Sequence, residues 1–272
     1  MTTLQLSSFV PAKIGVFPPM QTPTPHINAR DRLIVALDLE SAEHAQAMVD
    51  ALEGVVDFFK IGLSLQLAPG VEALIRSLIK DRDKKVFLDY KYYDIASTLS
   101  KAVSRAADLG VSFLTVHGTS ECIKGAMLGR GAKDLKIFIV TVLTTHDKAD
   151  IAELGYTKHT VSQLVLHRAK MALEAGCDGV IASGREAKSI KRLSAKLSKT
   201  LLVVTPGIRP DGYPEDDQKR KTTPKEAIVA GADYLVLGRQ ITEAVNPKRA
   251  AEETIGEMQK AFDSLQQVSS AS

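Results

Sequence analysis

The stretch VFLDYKYYDIASTLSKAVSRAADLGVSFLTV, residues 86–116, decides how the chain folds. Val86-Phe87-Leu88 is a short apolar run of the kind that forms a strand covered on both faces. Thr98–Leu109 then carries a helical pattern and stops at Gly110, the residue best suited to a left-handed helix cap. Phe113–Val116 is apolar again. Strand, helix and strand joined at a glycine describe one unit of a parallel sheet.

The same alternation runs from Arg32 to about Leu265. Further strands are expected at Leu33–Leu37, Asp57–Ile61, Ile137–Val142, Gly179–Ala182, Leu201–Thr205 and Tyr234–Leu237. Helices are expected at Ala42–Leu52 with Ser41 as N-cap, Gly70–Ile79, Glu121–Leu128, Val161–Ala175, Glu186–Leu197, Pro224–Ala230 and Ala250–Leu265. Asp108-Leu-Gly, Glu174-Ala-Gly and Val229-Ala-Gly precede strands in the same way, a weak repeat at the joints. Eight βα units in about 240 residues is the count of a (β/α)8 TIM barrel. An open doubly wound sheet is the alternative, but no Gly-x-Gly-x-x-Gly follows the first strand, which weakens a dinucleotide-binding reading.

The chain has 272 residues, 44% of them hydrophobic, enough for one large α/β domain. Residues 31–265 are expected to form that domain. Residues 1–30 contain five prolines and no acid and read as a mobile N-terminal extension, while 266–272 read as a frayed tail. The net charge of +3 is small, the charges are interspersed and Trp is absent, so neither a nucleic-acid surface nor a base-stacking platform is expected. No apolar run approaches the ~20 residues that span a bilayer. Cys122 and Cys177 read as packed thiols in a reducing cytoplasm.

The chemistry gathers where the apolar strands end. Within residues 86–116 the pattern is Asp89-x-Lys91-x-x-Asp94. Side chains alternate along a strand, so Asp89 and Lys91 face the same way, and Asp94 falls beyond the strand end. A lysine between two acids keeps its proton, because nearby negative charge favours the ammonium form. Lys91 is therefore a candidate proton donor and a poor amine nucleophile. Active sites of barrels lie at the C-terminal ends of the strands. In order, that rim carries Asp38, Lys60, Asp89 with Lys91, His117, Thr144 with Thr145, Ser183, Arg209 and Gly238 with Arg239. The last loops, Thr205-Pro206-Gly207-Ile208-Arg209 and Leu237-Gly238-Arg239, suit a phosphate, with glycine admitting the backbone and arginine supplying paired donors. The loop Pro210–Lys221 is rich in Asp, Gly and Pro and is long enough to close over a ligand, with Gln218 in reach of it. His117 reads as structural, His159 and His167 as surface residues, and no constellation has metal-ligand spacing.

Taken together these motifs resemble the orotidine 5′-phosphate decarboxylase family from Arg32 to Pro247. The matching residues are Ile34-Val-Ala-Leu-Asp38, Phe59-Lys60-Ile-Gly62, Asp89-x-Lys91-x-x-Asp94-Ile95, Val140-Thr-Val-Leu-Thr144, Thr205-Pro-Gly-Ile-Arg209, Asp217-Gln218-Lys-Arg220 and Gly238-Arg239. The resemblance implies decarboxylation of orotidine 5′-phosphate to UMP without a cofactor or metal, in pyrimidine biosynthesis. It implies that Lys91 protonates C6 and that Asp89, Asp94 and Lys60 form a charged network around it. Asp38, Lys60 and Thr98 would hold the ribose or the reacting region, Thr144 and Thr145 the pyrimidine edge, and Arg209, Gln218, Gly238 and Arg239 the phosphate. It also implies a homodimer in which Asp94 enters the partner's site. Ala96-Ser97 and Thr145 depart from the family's commoner Pro-Asn and serine, and Tyr90, Tyr92 and Tyr93 also differ from its commoner residues. A related metal-dependent lyase acting on hexulose phosphates, a Schiff-base aldolase and a catalytically silent phosphate-binding barrel are the rival readings.

Overall fold

A computed structural model of the chain describes residues 27–210 and 220–270. The extension expected over residues 1–30 lies almost wholly outside the described residues, as does Gln218. Eight strands pair in parallel in sequence order: β1 (Leu33–Ala36), β2 (Phe58–Gly62), β3 (Lys85–Tyr92), β4 (Phe113–His117), β5 (Lys136–Val140), β6 (Gly179–Ile181), β7 (Leu202–Thr205) and β8 (Tyr234–Leu237). The sheet closes where β8 returns to β1, with Leu33 opposite Leu235 and Val35 opposite Leu237. This is the (β/α)8 barrel that the eight-unit count predicts.

Helices α1 (Ala42–Ala51), α2 (Val71–Lys80), α3 (Ala96–Leu109), α4 (Ser120–Arg130), α5 (Lys148–Glu153), α6 (Val161–Ala175), α7 (Gly184–Lys196), α8 (Pro224–Val229), α9 (Arg239–Thr242) and α10 (Pro247–Ser270) lie between and after the strands. Several of their starts are written in short polar side chains. Ser41 accepts from the His44 amide, and Thr160 with Gln163 and Thr223 with Glu226 form reciprocal capping boxes. Four elements differ from expectation. The third strand is eight residues long rather than three, because its polar second half pairs with β2 and β4 and therefore counts as sheet. Helices α5 and α9 are too short to show a hydrophobic period. The last helix runs on to Ser270, through the residues expected as a tail.

Alternation along the strands builds the barrel in layers. Phe58, Phe87, Phe113 and Phe138 occupy matched inward positions on β2 to β5 and fill the floor together with Tyr234. Phe113 is the hub, with ring centroids 4.5 Å from Phe138, 4.8 Å from Phe58 and 5.2 Å from Tyr234. Burying each such ring stabilises the fold by roughly 1.5–3 kcal/mol. Gly179 makes room for this floor, since a Cβ there would stand 2.3 Å from the Phe138 ring. Two residues later on three of these strands come Lys60, Asp89 and Thr115. The aromatic floor thus supports a polar layer directly above it.

At the opposite end, carboxylates that precede strands hold the barrel's base. Asp178 Oδ2 accepts from the Ile137 amide at 2.9 Å and from Arg130 at 2.8 Å. Asp233 Oδ2 accepts from the Val203 amide at 2.7 Å and from Lys191 at 2.5 Å. The sequence repeat Ala-Gly-x-Asp at 175–178 and 230–233 is the trace of this joint: glycine ends the helix, and aspartate ties the next strand to its neighbour. Asp57, before β2, pairs with Arg30 at 2.5 Å and with the buried Lys84 at 2.8 Å, and Lys84 also meets Glu53 at 2.9 Å.

Candidate active site

Above the polar layer opens a cavity of about 630 Å³ at the C-terminal ends of the strands. Asp38, Lys60, Asp89, Lys91, Thr144, Thr145, Arg209, Gly238 and Arg239 all line it. Four of them form an alternating chain of charge. Lys60 Nζ lies 2.8 Å and 3.1 Å from the two oxygens of Asp38 and 3.6 Å from Asp89 Oδ2. Lys91 Nζ is 2.9 Å from the same Asp89 oxygen. Gly62 makes this packing feasible, because a Cβ at that position would sit 2.6 Å from Asp38 and 2.9 Å from the Lys60 ammonium.

Strand β3 is distorted at this chain of charge. Leu88 pairs with Leu114 and Tyr92 with Val116, so Asp89, Tyr90 and Lys91 together face the single residue Thr115. Lys91 has φ +48°, a left-handed conformation that is rare for a residue with a side chain. Thr115 takes up the slack. The Lys91 amide donates to its hydroxyl oxygen at 3.0 Å, and that hydroxyl donates to Asp89 Oδ1 at 2.9 Å. Thr115 is fully buried, and a reading of strand ends misses it because it lies inside β4. Burial pushes the Asp89 carboxyl up, but Lys60, Lys91 and the hydrogen bonds from Lys91 and Thr115 outweigh it, and the carboxyl is held below its ordinary value.

The lining of the cavity is mixed in character. Val140, Val142, Ile181 and Val236 supply apolar surface, while Pro206, Gly207, Arg209, Gly238 and Arg239 contribute the loops after β7 and β8. Arg209 is buried and Arg239 is exposed. Two glycine-bearing loops, each with one arginine, suit a phosphate, and the apolar lining together with Thr144 and Thr145 suits a flat ring.

Two expected residues do not join this set. Asp94 and Thr98 are exposed and lie outside the cavity, and Asp94 Oδ1 accepts from the Ile95 amide at 2.6 Å. Gln218 lies outside the described residues. His117 packs edge-on against Tyr93 at 5.1 Å and lines a neighbouring cavity, and burial followed by the charges of Arg168 and Lys91 pushes its imidazole pKa down. His159 and His167 are exposed and both cysteines are buried; burial raises the Cys177 thiol to about 12. Among the described residues, no helix is long and apolar enough to cross a membrane.

The chain is similar in sequence and fold to known proteins. A relative from Nitrobacter winogradskyi, named orotidine 5′-phosphate decarboxylase, is 51% identical over 234 residues, covering 86% of this chain and 95% of that protein. One of the same name from Rhodopseudomonas palustris is 47% identical over 232 residues, 85% and 96% of the respective chains. The crystal structure of the Lactobacillus acidophilus orotidine 5′-phosphate decarboxylase superposes with a TM-score of 0.71 at 34% identity, covering 84% of this chain and 98% of that one. The family model for orotidine 5′-phosphate decarboxylase / HUMPS matches residues 31–254, the barrel from its first turn into its last helix. With its closed barrel, its alternating acids and lysines and these relatives, the chain belongs to the orotidine 5′-phosphate decarboxylase / HUMPS family.

Proposed function

We propose that this chain decarboxylates orotidine 5′-phosphate to UMP, a step of pyrimidine biosynthesis, as a cytoplasmic homodimer. The observation that carries this reading is the alternating chain Asp38–Lys60–Asp89–Lys91, which opens into a cavity that Arg209 and Arg239 also line. In this reading the bond from C6 to the carboxylate breaks, CO2 leaves, and the electron pair stays on C6. That carbanion has no adjacent electron sink, so fixed positive charge must stabilise it. The Lys91 ammonium supplies that charge and then gives its proton to C6. Asp89, ionised and held by Lys60 and Thr115, fixes the direction of Lys91. The arginines and glycines after β7 and β8 bind the phosphate, and binding energy from that remote group is used to position the ring.

Metal-dependent sugar-phosphate chemistry is the rival within the family. The pairing of both Asp38 and Asp89 with ammonium groups favours the decarboxylase reading, since those carboxylates already have cationic partners. Following orotidine 5′-phosphate to UMP with and without EDTA tests the choice. EDTA-insensitive release of CO2 is expected; no release from the folded protein refutes the proposal.

The surroundings of Asp94 support the dimer. Its neighbours Tyr93 and Ile95 are large apolar residues 69% and 67% exposed, a surface that suits burial against a second copy. In the proposed dimer Asp94 and Thr98 complete the partner's site. Mixing a Lys91→Ala subunit with an Asp94→Ala subunit should restore activity, because one site of the hybrid then carries neither lesion. Demonstrated subunit exchange without recovery would refute the shared site.

A further inference from the structure

Beyond Val140 the fifth strand leaves the sheet, yet Val142, Leu143, Thr144 and Thr145 still form a wall of the cavity. Two arginines take four consecutive carbonyls of this segment. Arg168, from α6, donates to the Thr141 oxygen. Arg220 Nη2 donates to Val142 O at 3.0 Å and Leu143 O at 2.8 Å, and its Nε reaches Thr144 O at 3.5 Å. The remaining Nη1 donates to Glu186 Oε1 of α7 at 2.9 Å. Arg220 and Glu186 are each only 7% exposed. The backbone of the same loop is tied to the phosphate side: the Arg209 amide donates to Thr222 O at 3.0 Å, and the Ser183 hydroxyl donates to Arg220 O at 3.4 Å.

A buried arginine–glutamate pair is a poor source of stability, because desolvation offsets most of its attraction. What this one supplies is geometry. A planar guanidinium presents its donors in a fixed fork, which suits several adjacent carbonyls in a way that a lysine cannot. We propose that Arg220 is a positioning residue. It holds the Val142–Thr145 rim against the cavity, and with it the two threonines that face the reacting ring. The kinetic part of this proposal rests on the decarboxylase reading above; the structural part does not.

Arg220→Lys keeps a cation opposite Glu186 and removes the fork. In the full-length protein, this variant should melt within a few degrees of wild type. Amide hydrogen exchange should accelerate over residues 142–147 and stay unchanged in the rest of the barrel. Its kcat/KM for orotidine 5′-phosphate should fall about 100-fold, the cost of a misplaced contact about an ångström away. Arg220→Ala should lose at least as much, and added guanidinium, but not methylammonium, should return part of the rate. Unchanged exchange over 142–147 in the lysine variant overturns the proposal. So does a kcat/KM within threefold of wild type despite faster exchange, or loss of protection throughout the barrel in both variants, which marks a general stabilising role. A wild-type protein inactive on orotidine 5′-phosphate overturns the functional reading instead, and the exchange measurement still decides the role of Arg220.

Discussion

A cluster of acids and bases around Asp57 at the base of the barrel and one around Asp89 at its rim have nearly the same chemistry. At the base, Asp57 sits between Arg30 and Lys84, with Glu53 sharing Lys84. At the rim, Asp89 sits between Lys60 and Lys91, with Asp38 sharing Lys60. In both, burial pushes the central carboxyl up, while its bases and hydrogen bonds more than reverse the effect. Electrostatics alone therefore does not separate structural from chemical charge. Two other features do. The rim cluster opens into the cavity, and it is built on a distorted strand with a left-handed residue at its centre. The base cluster joins the 3-10 turn Ala29–Arg32 to the starts of β2 and β3.

Substitutions that remove charge at each end can break this comparison. Lys91→Ala should lower kcat by about 10³-fold or more, the scale of losing a proton donor and an electrostatic stabiliser together, with melting near wild type. Steady-state kinetics alongside thermal unfolding decides it, and a folded variant with near-normal kcat sinks the role. Arg239→Ala should reduce kcat/KM for the phosphorylated substrate by about 10²-fold and leave turnover of phosphate-free orotidine almost unchanged. Equal losses for both substrates would show that Arg239 does not serve the phosphate.

At the base the pattern should invert. Asp57→Asn strands Lys84 and Arg30 with fewer partners and should cost about 2 kcal/mol, a shift of several degrees in Tm, with kcat unchanged. The wild-type carboxyl is held below its ordinary value, so its contribution is present above about pH 4 and is lost as pH falls through the depressed folded value. The asparagine variant should accordingly show a shallower loss of stability in acid than wild type. Denaturant melts from pH 6 to pH 2 measure this; parallel curves would remove Asp57 from the account.

Much of this arrangement is legible in the amino-acid sequence. Alternating short apolar runs and glycine-ended helices carry the barrel, and strand ends carry Asp38, Lys60, Asp89, Lys91 and Arg239, because those positions follow from local periodicity. What escapes depends on distant pairing. Thr115 matters because β3 slips against β4, a register that single-strand alternation cannot express. The role of Arg220 depends on carbonyls 76 to 78 residues away. Alternation selects Asp89 and Lys91 on the assumption of an even strand, whereas the strand is bent between them. Lys84 and Lys60 look alike in sequence, and only the closed barrel separates base from rim.

The left-handed backbone at Lys91 places the proposed proton donor at a position where evolution would find a more comfortable residue. Non-glycine residues held there cost of order 1–3 kcal/mol. Lys91→Gly should therefore be as inactive as the alanine variant yet more stable than it by about 1 kcal/mol, since glycine adopts that conformation freely. Selection for thermal robustness without selection for turnover would drift toward glycine at this site. On the proposed role, it is use and not the fold that holds the lysine in place.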